Sequence, residues 1–361
     1  MQRPHLRWPP AAQPVGQVLL SLGDGDGEDP KHNLSAGTRV GDTLFVAGDE
    51  MAVLEALTLH ASGRSAAHER YALADLLDLR RPGEEVDIEG LSADVGWLWI
   101  VGSHARARHK PDKTPDMPIE LAKLADLKDT RPRCVLARIP LVERTDAPGT
   151  FYPVRSDGDR HAGMLRQTKH GNKLAEMLRL DVLLEPFTRI PAKEGGIDIE
   201  GIAVTGNRLG LGMRGPVIRD YAVLLEVVVD TRSNGILKLP SPPMKRLLDL
   251  EGLGIRDLKR RGDDLLILAG PTSSLSGPCA LYTWRNWVNE PASGAETVAV
   301  HRPERLIDLP HGRGVDHPEG LALWGREGEK EQILVLCDSP APERFKKGPS
   351  TFLADLFDLP D

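Results

Sequence analysis

The chain has 361 residues, 40% of them hydrophobic and 27% charged, with a net charge of -7. That apolar content suffices for a core and excludes wholesale disorder, while the acidic balance argues against a protein that gains affinity by neutralising duplex nucleic-acid phosphates. No run approaches the roughly 18 apolar residues of a membrane span, no apolar leader follows Met1, and Cys134, Cys279 and Cys337 form neither a zinc pattern nor a disulfide framework, so a soluble cytoplasmic protein with no membrane partner is expected.

In chain order, Gln17-Val18-Leu19-Leu20-Ser21-Leu22 is a β-prone segment with no partner near it. Residues 34–40 and 43–47 then read as a hairpin about Gly41-Asp42, with 53–60 and 71–79 as outer strands. Asp87-Ile88-Glu89-Gly90-Leu91-Ser92 precedes the apolar run 98–101. Residues 111–132 and 155–192 read as helical insertions, with apolar spacing for helices over 118–128 and 171–187 and a strand at 134–140 between them. Asp198-Ile199-Glu200-Gly201-Ile202-Ala203 repeats the motif before strands at 208–213 and 221–229. A fainter copy, Gly254-Ile255-Arg256-Asp257-Leu258, leads to 265–269, 280–284 and 297–301. His317-Pro318-Glu319-Gly320-Leu321-Ala322 leads to 333–337 and 352–357, where the chain ends one strand short of a blade.

His32-Asn33-Leu34-Ser35-Ala36 is the faintest copy, and it places His32, Glu89, Glu200, Arg256 and Glu319 at equivalent positions. Their separations are 57, 111, 56 and 63 residues. A period near 57 predicts an all-β fold, a β-propeller forming a single domain over 1–361. Five blades are expected, with six as the alternative because one interval is double, and the N-terminal strand closes the last blade.

In such hairpins the start of the first strand and the end of the second share one edge. His32, Glu89, Glu200, Arg256 and Glu319 are therefore expected at one mouth of the channel, beside Asp49, His104, Arg214 and Asp338. Like charges about 7 Å apart repel by about 2–3 kcal/mol at an effective dielectric near 20. The excess of carboxylates calls for a calcium-like cation, further arginines or a shared proton. The alternative is structural: each Glu-Gly turn caps backbone amides between blades, with glycine at positive φ. Basic clusters at 106–110 and 256–261 read as solvated edges or as holders of an anion near the mouth. Gly210-x-Gly212-x-x-Gly215 matches the dinucleotide pattern, but a strand rather than a helix follows it.

Asn33-Leu34-Ser35-Ala36 with Val46-Ala47-Gly48-Asp49-Glu50, the two Asp-Ile-Glu-Gly motifs, Leu211-Gly212-Met213-Arg214-Gly215-Pro216 and His317-Pro318-Glu319-Gly320-Leu321 span about 33–340. In these the chain resembles a bacterial β-propeller family of unknown function. The resemblance implies a propeller fold and leaves the activity open. The Glu-Gly turns are more loosely similar to calcium-dependent propeller hydrolases, the esterase-like phytases and gluconolactonases, from which Arg256 and His32 depart.

Two function classes follow. In the first, Glu89, Glu200, Glu319, Asp49 and Asp338 hold a divalent cation, calcium by preference, and Arg214 and Arg256 bind a small anionic ligand. If that protein is an enzyme, it is a metal-dependent hydrolase of phosphate or carboxylic esters, with His104 or His32 as general base. In the second, it is a non-catalytic scaffold whose helical insertions contact another protein.

Overall fold

The computed structural model describes residues 8–23, 33–48, 51–60, 65–109, 120–273, 275–292, 297–311, 316–325, 330–345 and 351–360. Among them five antiparallel sheets surround one axis, each beginning with its innermost strand. Blade one is Leu34–Val40, Thr43–Gly48, Val53–Leu59 and Ser65–Ala72. Blade two is Ile88–Asp94, Trp97–Gly102, Leu136–Glu143 and Gly163–Met164. Blade three is Asp198–Thr205, Arg208–Ile218, Tyr221–Val228 and Met244–Leu248. Blade four is Gly254–Arg261, Asp264–Gly270, Cys279–Trp284 and Glu304–Leu309. Blade five joins His317–Trp324, Gln332–Asp338 and Thr351–Asp358 to the N-terminal strand Gly16–Ser21. That last strand pairs antiparallel from Gly16 opposite Leu356 to Ser21 opposite Thr351, so the ring closes as expected with five blades.

Strands in this ring are covered on both faces, which is why they read as continuous apolar runs. Side chains alternate across a strand: Leu98 and Ile100 pack toward Phe45 and Ala47 of blade one, while Trp99 and Val101 pack toward Ile202 and Leu211 of blade three.

The repeated motif is a β-bulge. Register breaks between Ile88 and Gly90, Ile199 and Gly201, Ile255 and Asp257, and Pro318 and Gly320 leave Glu89, Glu200, Arg256 and Glu319 as the extra residues. The same break lies between Leu34 and Ala36, so Ser35 holds the ring position in blade one. This corrects the alignment that put His32 there; His32 itself lies outside the described residues. The glycine's role also differs from the expected positive φ. A Cβ on Gly90 would meet Ile202 N at 3.0 Å, on Gly201 Leu258 N at 2.9 Å, and on Gly320 Ser35 O at 2.9 Å. Glycine is there because neighbouring inner strands touch.

Three expected elements fall elsewhere. The fourth strand of blade one is Ser65–Ala72 rather than 71–79; as an outer strand it carries His68, Glu69 and Arg70 and lacks an apolar signature. Residues 297–301 were expected in blade four, yet Ala299–His301 runs parallel to Met244–Leu248 on the edge of blade three. The insertions are less helical than their spacing predicts: Leu121–Ala125 and Lys173–Leu178 are short α-helices, and Glu185–Arg189 and Ala192–Glu194 are single 3-10 turns. Pro186 and Pro191 interrupt the second segment, and Leu178 is followed within three residues by exposed Leu180 and half-buried Asp181, so its apolar face has nothing to extend along. Cys134, Cys279 and Cys337 are free and buried. Among the described residues no helix is long and apolar enough to cross a membrane.

Candidate functional site

The bulges bring the expected acids to one mouth of the channel, where guanidiniums meet them. Glu200 Oε1 lies 2.9 Å from Arg214 Nη1, and Glu200 Oε2 lies 3.0 Å from Arg256 Nε. Arg214 also pairs with Asp198, and Arg256 with Glu319, while Arg256 Nη1 donates to the Pro271 carbonyl at 3.5 Å. Arg133 joins Asp87 at 2.7 Å and Glu85, and Ser103 Oγ donates to Asp87. Glu89 is half-buried and adds its charge to the field at Arg133 and Arg214. Arg214 and Arg256 thus clasp blades three, four and five together and are committed to carboxylates rather than open to a ligand.

Burial dominates the acid strengths. It pushes the Glu200 carboxyl up to about 7 against the pull of Arg214 and Arg256, and the Asp87 carboxyl up to about 6 against Arg133. Asp87, His104 and Ser339 hold left-handed backbone, at φ 57°, 54° and 49°, so strain accumulates on this face. Asp338 sits at its rim, opposite His317 in the blade-five hairpin, and accepts a 3.1 Å hydrogen bond from Ser339 Oγ. Asp49 lies outside the described residues.

His104 does not offer the free base expected of it. Its Nδ1 donates to the Gly102 carbonyl at 2.8 Å, so Nε2 carries the lone pair, and that accepts from Asn172 Nδ2 at 2.9 Å. Burial lowers its pKa to about 4. Asn172 also donates to the Cys134 carbonyl and caps the helix Lys173–Leu178 through Ala175 N. The imidazole is a strut between blade two and the insertion.

Below the mouth the channel is plugged. Where blades two, three and five have Gly90, Gly201 and Gly320, blade four has Asp257, whose Oδ2 accepts from Leu321 N at 2.7 Å. Lys259 Nζ lies 2.7 Å from that carboxylate and reaches across the axis to the Leu91 carbonyl at 3.1 Å. Sequence reasoning missed this pair, although a charge at the glycine position of a repeat was a visible signal.

Two cavities open on the mouth face. One of about 230 Å³, between blades four and five, is lined by Lys193, Arg214, Arg256, His317, Glu319 and Asp338 among others, with signs mixed. The other, about 390 Å³, lies where the end of the second strand of blade two meets the insertion. Arg106, Lys128, Arg131, Lys169 and Arg179 line it against a single carboxylate, Asp129. Arg131 is spent on Asp129 and the Lys169 carbonyl, and Arg106 Nε on the Thr188 carbonyl at 2.8 Å. No carboxylate among the described residues pairs with Lys128, Lys169 or Arg179. Of the 106–110 cluster, Arg106 enters this cavity, Arg108 pairs with Glu194, and Lys110 lies outside the described residues.

The acids at the mouth do not fit a calcium cage. Both oxygens of Glu200 face guanidiniums, and no group of three His, Cys, Asp or Glu side chains converges on a metal position among the described residues. The arginines supply the compensation that the sequence left open between a cation and further basic residues.

A family model described as "Protein of unknown function (DUF3616)" matches residues 33–355. Among solved structures, the chain is similar to an exo-1,5-alpha-L-arabinanase from a bovine ruminal metagenomic library, at 9% identity and TM-score 0.40, covering 92% of this chain and 94% of that one. It is also similar to an alpha-L-arabinanase of Cellvibrio cellulosa, at 10% identity, 90% coverage of both chains and TM-score 0.37. An aldose sugar dehydrogenase of Streptomyces coelicolor, in its PQQ-bound form, matches at 10% identity over 96% of this chain and 100% of that one, with TM-score 0.33. No curated protein matches the sequence.

Proposed function

We propose that this chain, which belongs to the DUF3616 family, binds a small anionic ligand, and that the ligand sits in the basic cavity of blade two rather than on the axial arginines. One observation carries the reading: in a protein of net charge -7, five cationic side chains line one cavity, and four of them, Arg106, Lys128, Lys169 and Arg179, have no carboxylate partner among the described residues. Clustered like charges cost free energy unless an anion joins them. The cavity beside the axial clasp mixes Arg214 and Arg256 with Asp316, Glu319 and Asp338 and has no such cationic excess, and with the His104 lone pair already accepting from Asn172, binding rather than ester hydrolysis is what these groups support. The reading requires no divalent cation. Three buried free thiols suit a cytoplasmic setting.

Titration calorimetry with pyrophosphate in the presence of a chelator tests this. Charge-assisted hydrogen bonds contribute about 1.5–3 kcal/mol each, so a Lys169→Ala, Arg179→Ala double variant should bind on the order of a hundredfold more weakly. Absence of heat from the unaltered protein rules the reading out.

A second reading has its own observation. Leu121 on the first insertion and Leu180 and Val182 on the second are 83%, 86% and 95% exposed. Large apolar side chains so open to water suit a scaffold that seats a protein partner there. Under this alternative, Leu180→Ser with Val182→Ser abolishes partner capture and leaves pyrophosphate binding unchanged; capture that survives the double change excludes it.

A further inference from the structure

The basic cavity has two unlike kinds of lining. Beside the cations, its lining includes Ala175, Leu178, Ile190 and Ile197. Leu178, Ala175 and Ile197 are almost wholly buried, while Ile190 is half-buried. Two further lining groups, Cys134 and His104, are uncharged. Burial raises the Cys134 thiol to about 11, leaving it a soft apolar surface, and His104 is neutral with both ring nitrogens hydrogen-bonded.

Size points the same way. At about 390 Å³ the cavity falls in the range of roughly 300–1,000 Å³ that takes organic ligands, and it is many times the roughly 30 Å³ that one water occupies. A bare inorganic anion would reach the cations and leave the Ile190 side facing water. A ligand with an apolar part would cover that side and displace water that has no polar partner there.

Resting on the anion-binding reading above, we infer that the ligand is an organic monoester or acid: a phosphate or carboxylate group held by Lys128, Lys169 and Arg179, joined to a compact aryl or branched alkyl body lying on Ile190 and Ile197. The cations recognise the charge and the isoleucines select the body. Phosphate and carboxylate present the same oxyanion chemistry to lysine and arginine.

The test compares inorganic phosphate, phenyl phosphate and phenol by calorimetry on the full chain. Phenyl phosphate is expected to bind at least about tenfold more tightly than phosphate, and phenol not measurably. Ile190→Ser, checked for an unchanged melting temperature, should cut the phenyl advantage to under about threefold and leave phosphate affinity as it was. Benzoate against acetate repeats the comparison for carboxylates. Equal affinity for phosphate and phenyl phosphate would overturn the apolar subsite while leaving anion binding intact. Phenol binding as tightly as phenyl phosphate would overturn the requirement for charge. If none of the anions binds, this inference falls together with the reading it rests on.

Discussion

Lys259→Met is expected to cost about 3–5 kcal/mol of folding stability, the usual consequence of leaving one member of a buried ion pair alone. Lys259 and Asp257 are 4% and 0% exposed at the centre of the ring. The lysine ties Asp257 to the Leu91 carbonyl of blade two, and the aspartate ties blade four to Leu321 N of blade five. Methionine fills a similar volume but abandons the carboxylate. Burial already raises the Asp257 carboxyl to about 6, above the ordinary 3.8, against the pull of Lys259. A folded pKa raised in this way adds stability at low pH that disappears as pH climbs through the folded value. Without the lysine the carboxyl takes up a proton more readily still, so the variant's deficit is smaller at pH 5 than at pH 8. Asp257→Asn combined with Lys259→Met removes the charge and should recover part of the loss. Urea unfolding at both pH values reads all three variants. A Lys259→Met protein within about 0.5 kcal/mol of the parent would show that the plug does not hold the ring.

The ring itself was legible because physical demands repeat. Every blade turns in at a bulge and meets its neighbour backbone to backbone, so Glu-Gly recurs at Glu89, Glu200 and Glu319 and an apolar run follows at near-constant distance. Blade one was misaligned because Ala36 fills the place of that glycine. With no glycine to mark the bulge, Leu34 was matched to Leu91 instead of to Ile88, its true equivalent opposite the end of the second strand. Outer strands were the least legible. Ser65–Ala72 meets solvent on one edge and needs few apolar letters, and nothing local tells Ala299–His301 which of two blade edges it will join.

The site was half legible for a related reason. A repeated acid announces itself, whereas its neutralising partner comes from anywhere. Arg133 reaches Asp87 from 46 positions away, beyond the range of any motif. The basic cavity is harder still, since it draws on 104–106, 128–131, 169–179 and 188–197. Each of these segments looks like an ordinary solvated loop, and their charges become one field only when the insertion folds back on blade two. His104 shows the converse error. A histidine at a strand end is a reasonable base in a sequence, but two well-made hydrogen bonds to Gly102 and Asn172 take that role away.

Arg256→Met carries the second large expectation, a loss of about 3 kcal/mol. Arg256 bridges Glu200 of blade three to Glu319 of blade five while its own backbone belongs to blade four, so one substitution loosens two blade interfaces. Glu200 keeps Arg214, which limits the damage relative to the Lys259 change. The pH dependence separates this clasp from simple packing. With Glu200 raised from 4.5 to about 7 by burial, and Asp87 and Asp257 raised to about 6, folding takes up protons across this window. Stability from these groups is full below about pH 4 and is lost as pH rises through 6 to 7; buried His104, lowered to about 4, works the other way below pH 6.5, and with three carboxyls against one imidazole the parent protein should still be less stable at pH 8 than at pH 5. Glu200→Gln removes the group with the highest folded pKa and should flatten the upper part of that slope, between pH 6 and 8, leaving the part due to Asp87 and Asp257. Arg256→Met should steepen it, because the guanidinium that favours the ionised form is gone. A slope unchanged in both variants would mean that Glu200 stays ionised throughout and that the clasp is a fixed ion pair with no proton to exchange.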